Sequence, residues 1–307
     1  MFRYIIKRSV MMILTLFLVL LFTFLIMHAI PGGPYSAGKR LPPAVQEAIE
    51  AKYKLNDPLY VQFMDYLGRV VQLDLGPSFK YEGMSVNDLI AQGFPISSAL
   101  GLFSMLLVLI TGIPLGIIAA MKRGKWQDTT VSFITTFGVT IPSFVVATLL
   151  LYFFSFRLGW FPVYGVESLK GYVLPTIALS GYSLAYVTRL MRSSLLDVLN
   201  TDYIRMARVK GTPERKIVLR HGMRNALVPV VTVIGPLFAG LLMGSFVVEK
   251  IFALPGMGRF FVQSITNRDY TAIMGFTIFY AAVLVMIVFI VDIIYFLIDP
   301  RIKLTDS

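Results

Sequence analysis

The sequence predicts an all-α, polytopic membrane protein with six transmembrane helices, and three observations carry that prediction. Hydrophobic residues make up 56% of the 307 and charged residues only 15%, with a mean hydropathy of +0.74; a soluble domain carries about 25% charge. Several apolar runs reach the roughly 18–20 residues that a helix needs to cross a bilayer. The basic residues, which give a net charge of +11, gather between alternate apolar runs, as they do where Lys and Arg mark cytoplasmic loops. The charge is therefore read as membrane topology before nucleic-acid binding. The chain has no Cys, which excludes disulfides and thiolate metal sites.

The first element opens with Arg3, Lys7 and Arg8, followed by an apolar run from about Ser9 to Ile30. A signal-peptide core is only about 7–15 residues and ends at a small-residue cleavage site, so this run is expected to be a retained first helix with its amino terminus in the cytoplasm. Five further spans are expected at about 94–121, 129–157, 172–191, 225–248 and 271–297. That order makes 1–8, 122–128, 192–224 and 298–307 cytoplasmic. With Arg189 and Arg192 counted at the inner end of span four, these segments hold 17 of the 28 Lys and Arg residues, so the charge bias and the span count agree. The chain divides into an N-terminal helix (1–30), an extracytoplasmic helical cap (31–93) and a five-helix core (94–307) with an inner loop at 192–224.

Within the cap, "NDPLYVQFMDYLGRVVQL" offers Asp57 as an N-cap and Pro58 at the first helical position. Leu59, Phe63, Leu67 and Val70 then form an apolar stripe. This reads either as a cap packed on the membrane domain or as a docking surface for an outside partner. In the spans, "GIPLG" and "GPLFAGLLMG" place small residues where helices approach closely. Pro114, Pro142 and Pro236 interrupt spans two, three and five, and broken helices are tolerated where they line polar cavities. The candidate pathway residues are Ser143, Ser180, Tyr182 and Thr232, with Gly235 and Pro236 beside them.

Catalytic constellations are sparse. The two histidines, His28 and His221, fall at opposite membrane faces, so no two-His metal site is expected. "GPYSAGKR" at Gly33 to Arg40 imitates a phosphate-binding loop but ends in Arg40 where a hydroxyl belongs, and it follows a membrane helix. If ATP drives this protein, another chain binds it. Asp292 is the acidic residue well inside a span, a functional candidate by default; the bland reading is a structural pair with Arg189 or Arg192.

The inner loop is the sharpest feature. Leu196, Leu199, Tyr203, Met206 and Ala207 fit one helical stripe flanked by Arg205 and Arg208. Lys210 and Gly211 follow, and Gly211 ends a helix with positive φ. Thr212 reads as the next N-cap, with Pro213 at the first helical position and Glu214 in the first turn. The result is helix, tight turn, helix with a basic surface. Three readings compete: a helix lying on anionic lipid, a DNA-binding helix-turn-helix, or a lever gripped by a cytoplasmic partner.

Motifs spread over the chain resemble the inner-membrane permease subunits of bacterial peptide-importing ABC transporters. They are "YIIKRSVMMILTLF" and "IPGGP", then "YKLNDPLYVQFMDYL", "LDLGPSFKYEGMSVNDLI" and "FPIS", then "ARVKG", "RHGMRNALVP", "VEKIFALPGMGRFF", "RDY" and "DPRI". The outer-loop pattern is most similar to the oligopeptide branch, with dipeptide and nickel permeases as near relatives. The resemblance implies the type I ABC importer permease fold and no catalytic residues. ATP and magnesium are then expected on two separate ATP-binding subunits, with no cofactor on this chain. It also implies a second homologous permease, an extracytoplasmic peptide-binding protein, and a lipid bilayer rather than nucleic acid around the basic loop. In that family an E-A-A-x-x-x-G loop docks into the ATP-binding subunit. Here Gly211 matches the glycine and Ala207 the second alanine, while Arg205 and Met206 stand in the first two places. His221 to Arg224 replace the later I-x-L-P, and a proline follows at Pro229. The competing classes are a stand-alone ion-driven carrier or channel, which predicts internal repeats and several mid-membrane charges, and a membrane-anchored DNA regulator, which predicts a soluble domain.

Overall fold

The computed structural model describes residues 2–30, 57–81, 83–166, 168–242 and 246–298. The "GPYSAGKR" and "DPRI" segments, and "IPGGP" after Ile30, lie outside them. In chain order the helices are α1 (Phe2–Ala29), α2 (Leu59–Val71), α3 (Val86–Leu107), α4 (Ile113–Met121), α5 (Trp126–Thr140), α6 (Ser143–Leu150), α7 (Lys170–Leu199), α8 (Asp202–Val209), α9 (Glu214–Lys216), α10 (Met223–Leu242), α11 (Phe246–Ile251), α12 (Met257–Thr266) and α13 (Tyr270–Ile298). They form two compact units, Met1–Pro95 with Gly256–Val285, and Ile96–Pro255 with Met286–Ser307.

In the first unit, Phe24 of α1 meets Phe63 of α2 edge-on, with ring centroids 5.3 Å apart. Leu20, Tyr66, Leu89 and Phe276 complete the same buried cluster. Pro58 has an extended ψ of 141° and occupies the N-cap position, so α2 starts one residue later than expected. Asp57 makes no cap; its carbonyl accepts a bond from Gln62 Nε2 at 2.8 Å. The expected stripe holds at three of its four positions: Phe63 is buried and Leu67 and Val70 pack against the same cluster, which Tyr66 joins, while Leu59 is 51% exposed.

A single carboxylate ties this unit together. Asp269, 1% exposed, accepts from Ser78 Oγ and the backbone N–H groups of Phe79 and Lys80 through Oδ2, and from Ala272 N through Oδ1. It is thus both the N-cap of α13 and the clasp of the loop after α2. Its signal was an Asp placed directly before an apolar run. Asp269→Ala strands these donors and is expected to cost about 3 kcal/mol, measured as a lowered melting midpoint of the purified protein in detergent.

In the second unit, α3 passes through a π-helical turn, Val108–Gly112, into α4. Pro114 sits in the first turn of α4, directly after the π-helical turn, whose wider ring accommodates the residue that cannot donate. The expected interruption there is therefore a continuous run from Val86 to Met121. At Pro142 the expectation of a broken span holds: α5 and the helix continuing from α6 to Arg157 meet at 102°. Pro236 lies inside an unbroken α10.

Helix α7 is the centre of this unit and packs against α4, α5, α6 and α10. Glycines set two of these contacts. A Cβ on Gly116 would lie 2.7 Å from Met191 Cβ, and one on Gly138 would lie 2.7 Å from the Gly181 carbonyl oxygen, so neither position accepts a side chain without separating the helices.

Among the described residues, four helices are apolar enough by length and composition to cross a bilayer, within Ile5–Ala29, Val86–Met121, Glu214–Ile251 and Tyr270–Ile293, and the bent pair counted as one span makes a fifth. The remaining expected span is α7. At 30 residues it is about 45 Å long, ample to cross, but Tyr, Ser, Thr and Arg dilute its apolarity and it runs on to Leu199. Asp292 pairs with neither expected arginine, since Arg192 is bound to Asp128 and Arg189 to Thr135 and Thr136.

Candidate functional site

The loop at 192–224 is built on the end of α7. Helix α7 ends at Leu199, and Asn200 and Thr201 break it before α8. The expected single stripe is therefore two helices with different phases. In α8 the buried residue is Ile204, 0% exposed, while Tyr203, Met206 and Val209 are 43%, 58% and 85% exposed. Ile204 joins Leu195, Leu199, Ile217 and Val218 in one cluster with Ala226 and Val230 of α10. One face of α8 is thus fixed to the spans on either side of the loop. Its other face shows apolar Met206 and Val209 between exposed Arg205 and Lys210.

The turn after α8 is a Schellman motif. Gly211 N donates to Arg208 O at 2.9 Å and Thr212 N to Ala207 O at 3.1 Å, with Gly211 at φ 74°. Here the glycine expectation is met. Thr212 makes no cap, because Pro213, with ψ 140°, holds the N-cap position of α9. Arg208 donates to Glu214 through Nε at 3.2 Å and Nη2 at 2.7 Å. Those bonds hold the Glu214 carboxyl below its ordinary range and raise Arg208 in turn. Both groups are about half exposed, so the pair contributes at most about 1 kcal/mol; it orients the turn. Tyr203 Oη accepts from Asn225 Nδ2 at 2.9 Å, a second tie between α8 and α10.

A partly buried ion pair stands at the start of this loop. Asp128, at the start of α5, binds Arg192 of α7 in a two-pronged geometry, Oδ1 to Nε at 2.7 Å and Oδ2 to Nη2 at 2.8 Å. Gly124 N also donates to Oδ2. The pair joins residues 64 apart, a separation for which sequence carries no local signal.

The second feature is a cleft of about 470 Å³ at the broken span, lined by Gly138, Pro142, Ser143, Tyr182 and Pro236 among others. Ser143, Tyr182 and Pro236 of the expected pathway set therefore meet at one place. The other three do not line it. Ser180 is 2% exposed and bonds the Ile177 carbonyl; Thr232 bonds the Val228 carbonyl; Gly235 packs on Val291. A cleft beside backbone broken at membrane depth is the arrangement tolerated where a polar path is lined.

A bundle of membrane helices with such a cleft, and an ordered basic loop fixed to two of its spans, defines the membrane component of a transport system. The chain belongs to the family described as the binding-protein-dependent transport system inner membrane component, whose model matches residues 112–304, with the model of the family's N-terminal part matching 1–101. It is 46% identical to the Dipeptide transport system permease protein DppB of Bacillus subtilis over 98% of both chains. It is 43% identical to the Oligopeptide transport system permease protein OppB of Escherichia coli K12, over 99% of this chain and 100% of that one. Among solved structures, it is similar to a chain of the MetNI methionine ABC transporter in inward-facing conformations, with a TM-score of 0.54 at 20% identity, covering 69% of this chain and 96% of that one. A chain of an amino acid ABC transporter gives a TM-score of 0.51 at 19% identity, covering 70% and 95%. The fold is that of ABC-transporter membrane chains.

Proposed function

We propose that this chain is the permease subunit of an ATP-driven importer of oligopeptides, sited in the bacterial cytoplasmic membrane with its amino terminus inside. It forms the pathway with a second homologous permease, receives peptides from an extracytoplasmic binding protein, and is driven by two ATP-binding subunits that carry the ATP, the magnesium and the hydrolysis. The similarity to both dipeptide and oligopeptide permeases over nearly the whole chain supports the substrate class.

The observation that carries the mechanism is the two-faced α8. A lever needs one face fixed to the helices it moves and another open to the part that moves it. Ile204 and its cluster supply the first; Tyr203, Met206 and Val209 supply the second. Closure of the ATP-binding subunits then tilts α7 and α10 and shifts the population between inward-open and outward-open states. A tagged pull-down from native membrane in mild detergent tests this. Recovery of a second permease and Walker-motif ATPases is expected; recovery of a transporting homo-oligomer alone favours the ion-driven carrier. The choice between short and longer peptides is read by letting dipeptides and pentapeptides compete for uptake.

The cleft is assigned to the pathway. Gly138→Leu both enters it and forces α5 away from the Gly181 carbonyl, so the membrane level is expected to drop and peptide uptake to fall at least about tenfold beyond that drop. Uptake assays paired with immunoblots check it.

A further inference from the structure

Helix α7 reverses the pattern expected of a lipid-facing span. Its buried side holds Ala185, Val187, Met191 and Leu195, while Tyr182, Tyr186, Arg189 and Ser193 are exposed. These four fall at i, i+4, i+7 and i+11, a single face. Ionisable side chains at membrane depth face water or another protein element rather than lipid. Tyr182 belongs to the cleft, so the polar face leads from the cleft toward the loop at 192–224.

Arg189 is the unusual member. Its Nε donates to Thr135 Oγ1 at 3.4 Å and its Nη2 to Thr136 Oγ1 at 3.1 Å. Both hydroxyls spend their own protons on the Ser132 carbonyl, at 3.0 and 2.8 Å, so they meet the guanidinium as neutral acceptors. Among the described residues Nη1 makes no hydrogen bond, and no carboxylate lies within ion-pair distance. The neighbouring acid, Asp128, has both oxygens engaged by Arg192. Arg189 is thus a held, uncompensated cation with donors to spare, on the same face of α7 as Tyr182 and about two turns beyond the cleft. Beside it Tyr186 and Tyr182 stack with ring centroids 6.4 Å apart and planes at 19°, presenting flat faces and hydroxyls.

A guanidinium held on one edge offers its free N–H groups to a planar anion. In a pathway that carries peptides, the reading proposed above and on which this inference rests, the planar anion common to linear peptides of any sequence is the C-terminal carboxylate. We propose that Arg189, positioned by Thr135 and Thr136 and flanked by Tyr186, is a transit site for the C-terminal carboxylate of the peptide.

The test uses the whole transporter in vesicles and peptides whose free-acid and C-terminally amidated forms are both imported by the wild type. Uptake is read as the variant-to-wild-type ratio for each form, which cancels any preference of the binding protein. Arg189→Gln is expected to lower uptake of the acid about tenfold and of the amide less than twofold. Arg189→Lys, which keeps the charge but loses the planar fork, is expected to fall between. Equal loss of both forms would overturn the proposal in favour of a structural role or an ion pair with the second permease, and an unchanged ratio would overturn it outright. Absence of import of any peptide by the wild-type complex would instead overturn the peptide reading, and this proposal with it.

Discussion

Gly211→Pro abolishes ATP-driven uptake while the chain stays in the membrane at the wild-type level; this is the largest effect expected of any single substitution. Gly211 sits at φ 74°, and proline is locked near −65°. Proline also lacks the N–H that Gly211 donates to Arg208 O, so both bonds of the turn go and α8 loses its exit angle. A Cβ at this position meets nothing within 4 Å, so bulk is not the obstacle. That separates conformation from crowding: Gly211→Asn, which tolerates the left-handed region, is expected to keep most uptake, Gly211→Ala less, and Gly211→Pro none. ATP hydrolysis by the complex, measured alongside, should lose its dependence on peptide-loaded binding protein in the proline variant.

The second large effect lies at the Asp128–Arg192 pair. Arg192→Ala leaves a carboxylate that is 8% exposed without its partner, and breaking a buried pair one-sidedly costs 3–5 kcal/mol. The Arg192 side chain is 31% exposed, and solvent screening reduces the expected loss to about 2–3 kcal/mol. It should appear as a lower melting midpoint in detergent and as reduced uptake, because α7 feeds directly into α8 and a looser α5–α7 contact absorbs part of its motion. Asp128→Asn removes the charge but keeps an acceptor for Gly124 N and Arg192, and is expected to lose less. A double change to Asp128→Leu with Arg192→Leu, which leaves no orphaned charge, should recover stability beyond either single change; failure to do so would sink the ion-pair account.

Length and apolarity made most of the architecture legible before any coordinates, because a run such as Ser9 to Ile30 has few other homes. The span expected at 172–191 is helical throughout, within α7, yet its low apolarity marks a polar face, which only the burial of Ala185 and Met191 against the exposure of Tyr186 and Arg189 reveals. Proline was a mixed guide. Pro142 breaks its span, while Pro114 is absorbed by a π-helical turn just before it. Pro58 and Pro213 each take the N-cap position themselves, with ψ near 140°, and displace the expected Asp57 and Thr212.

In the loop, the glycine turn was readable because positive φ has a residue signature. The packed face was not, since Asn200 and Thr201 reset the helical phase and hand the core to Ile204 instead of Tyr203 and Met206. Long-range charge pairing was invisible for a plainer reason. Sequence counts charges but not faces, so Asp292 was set against Arg189 or Arg192 while Asp128 held the latter.

The most direct test of the lever is a cross-link. The chain has no native Cys, so one cysteine at Met206 or Val209, 58% and 85% exposed, gives it a single addressable thiol. A thiol-anchored photo-cross-linker there, in the intact transporter, is predicted to label an ATP-binding subunit with a yield that changes when ATP is added. The same reagent at Tyr60 of α2, 72% exposed, should give no such adduct. Labelling of lipid alone from positions 206 and 209, or an ATP-binding-subunit adduct of equal yield from position 60, would contradict the account.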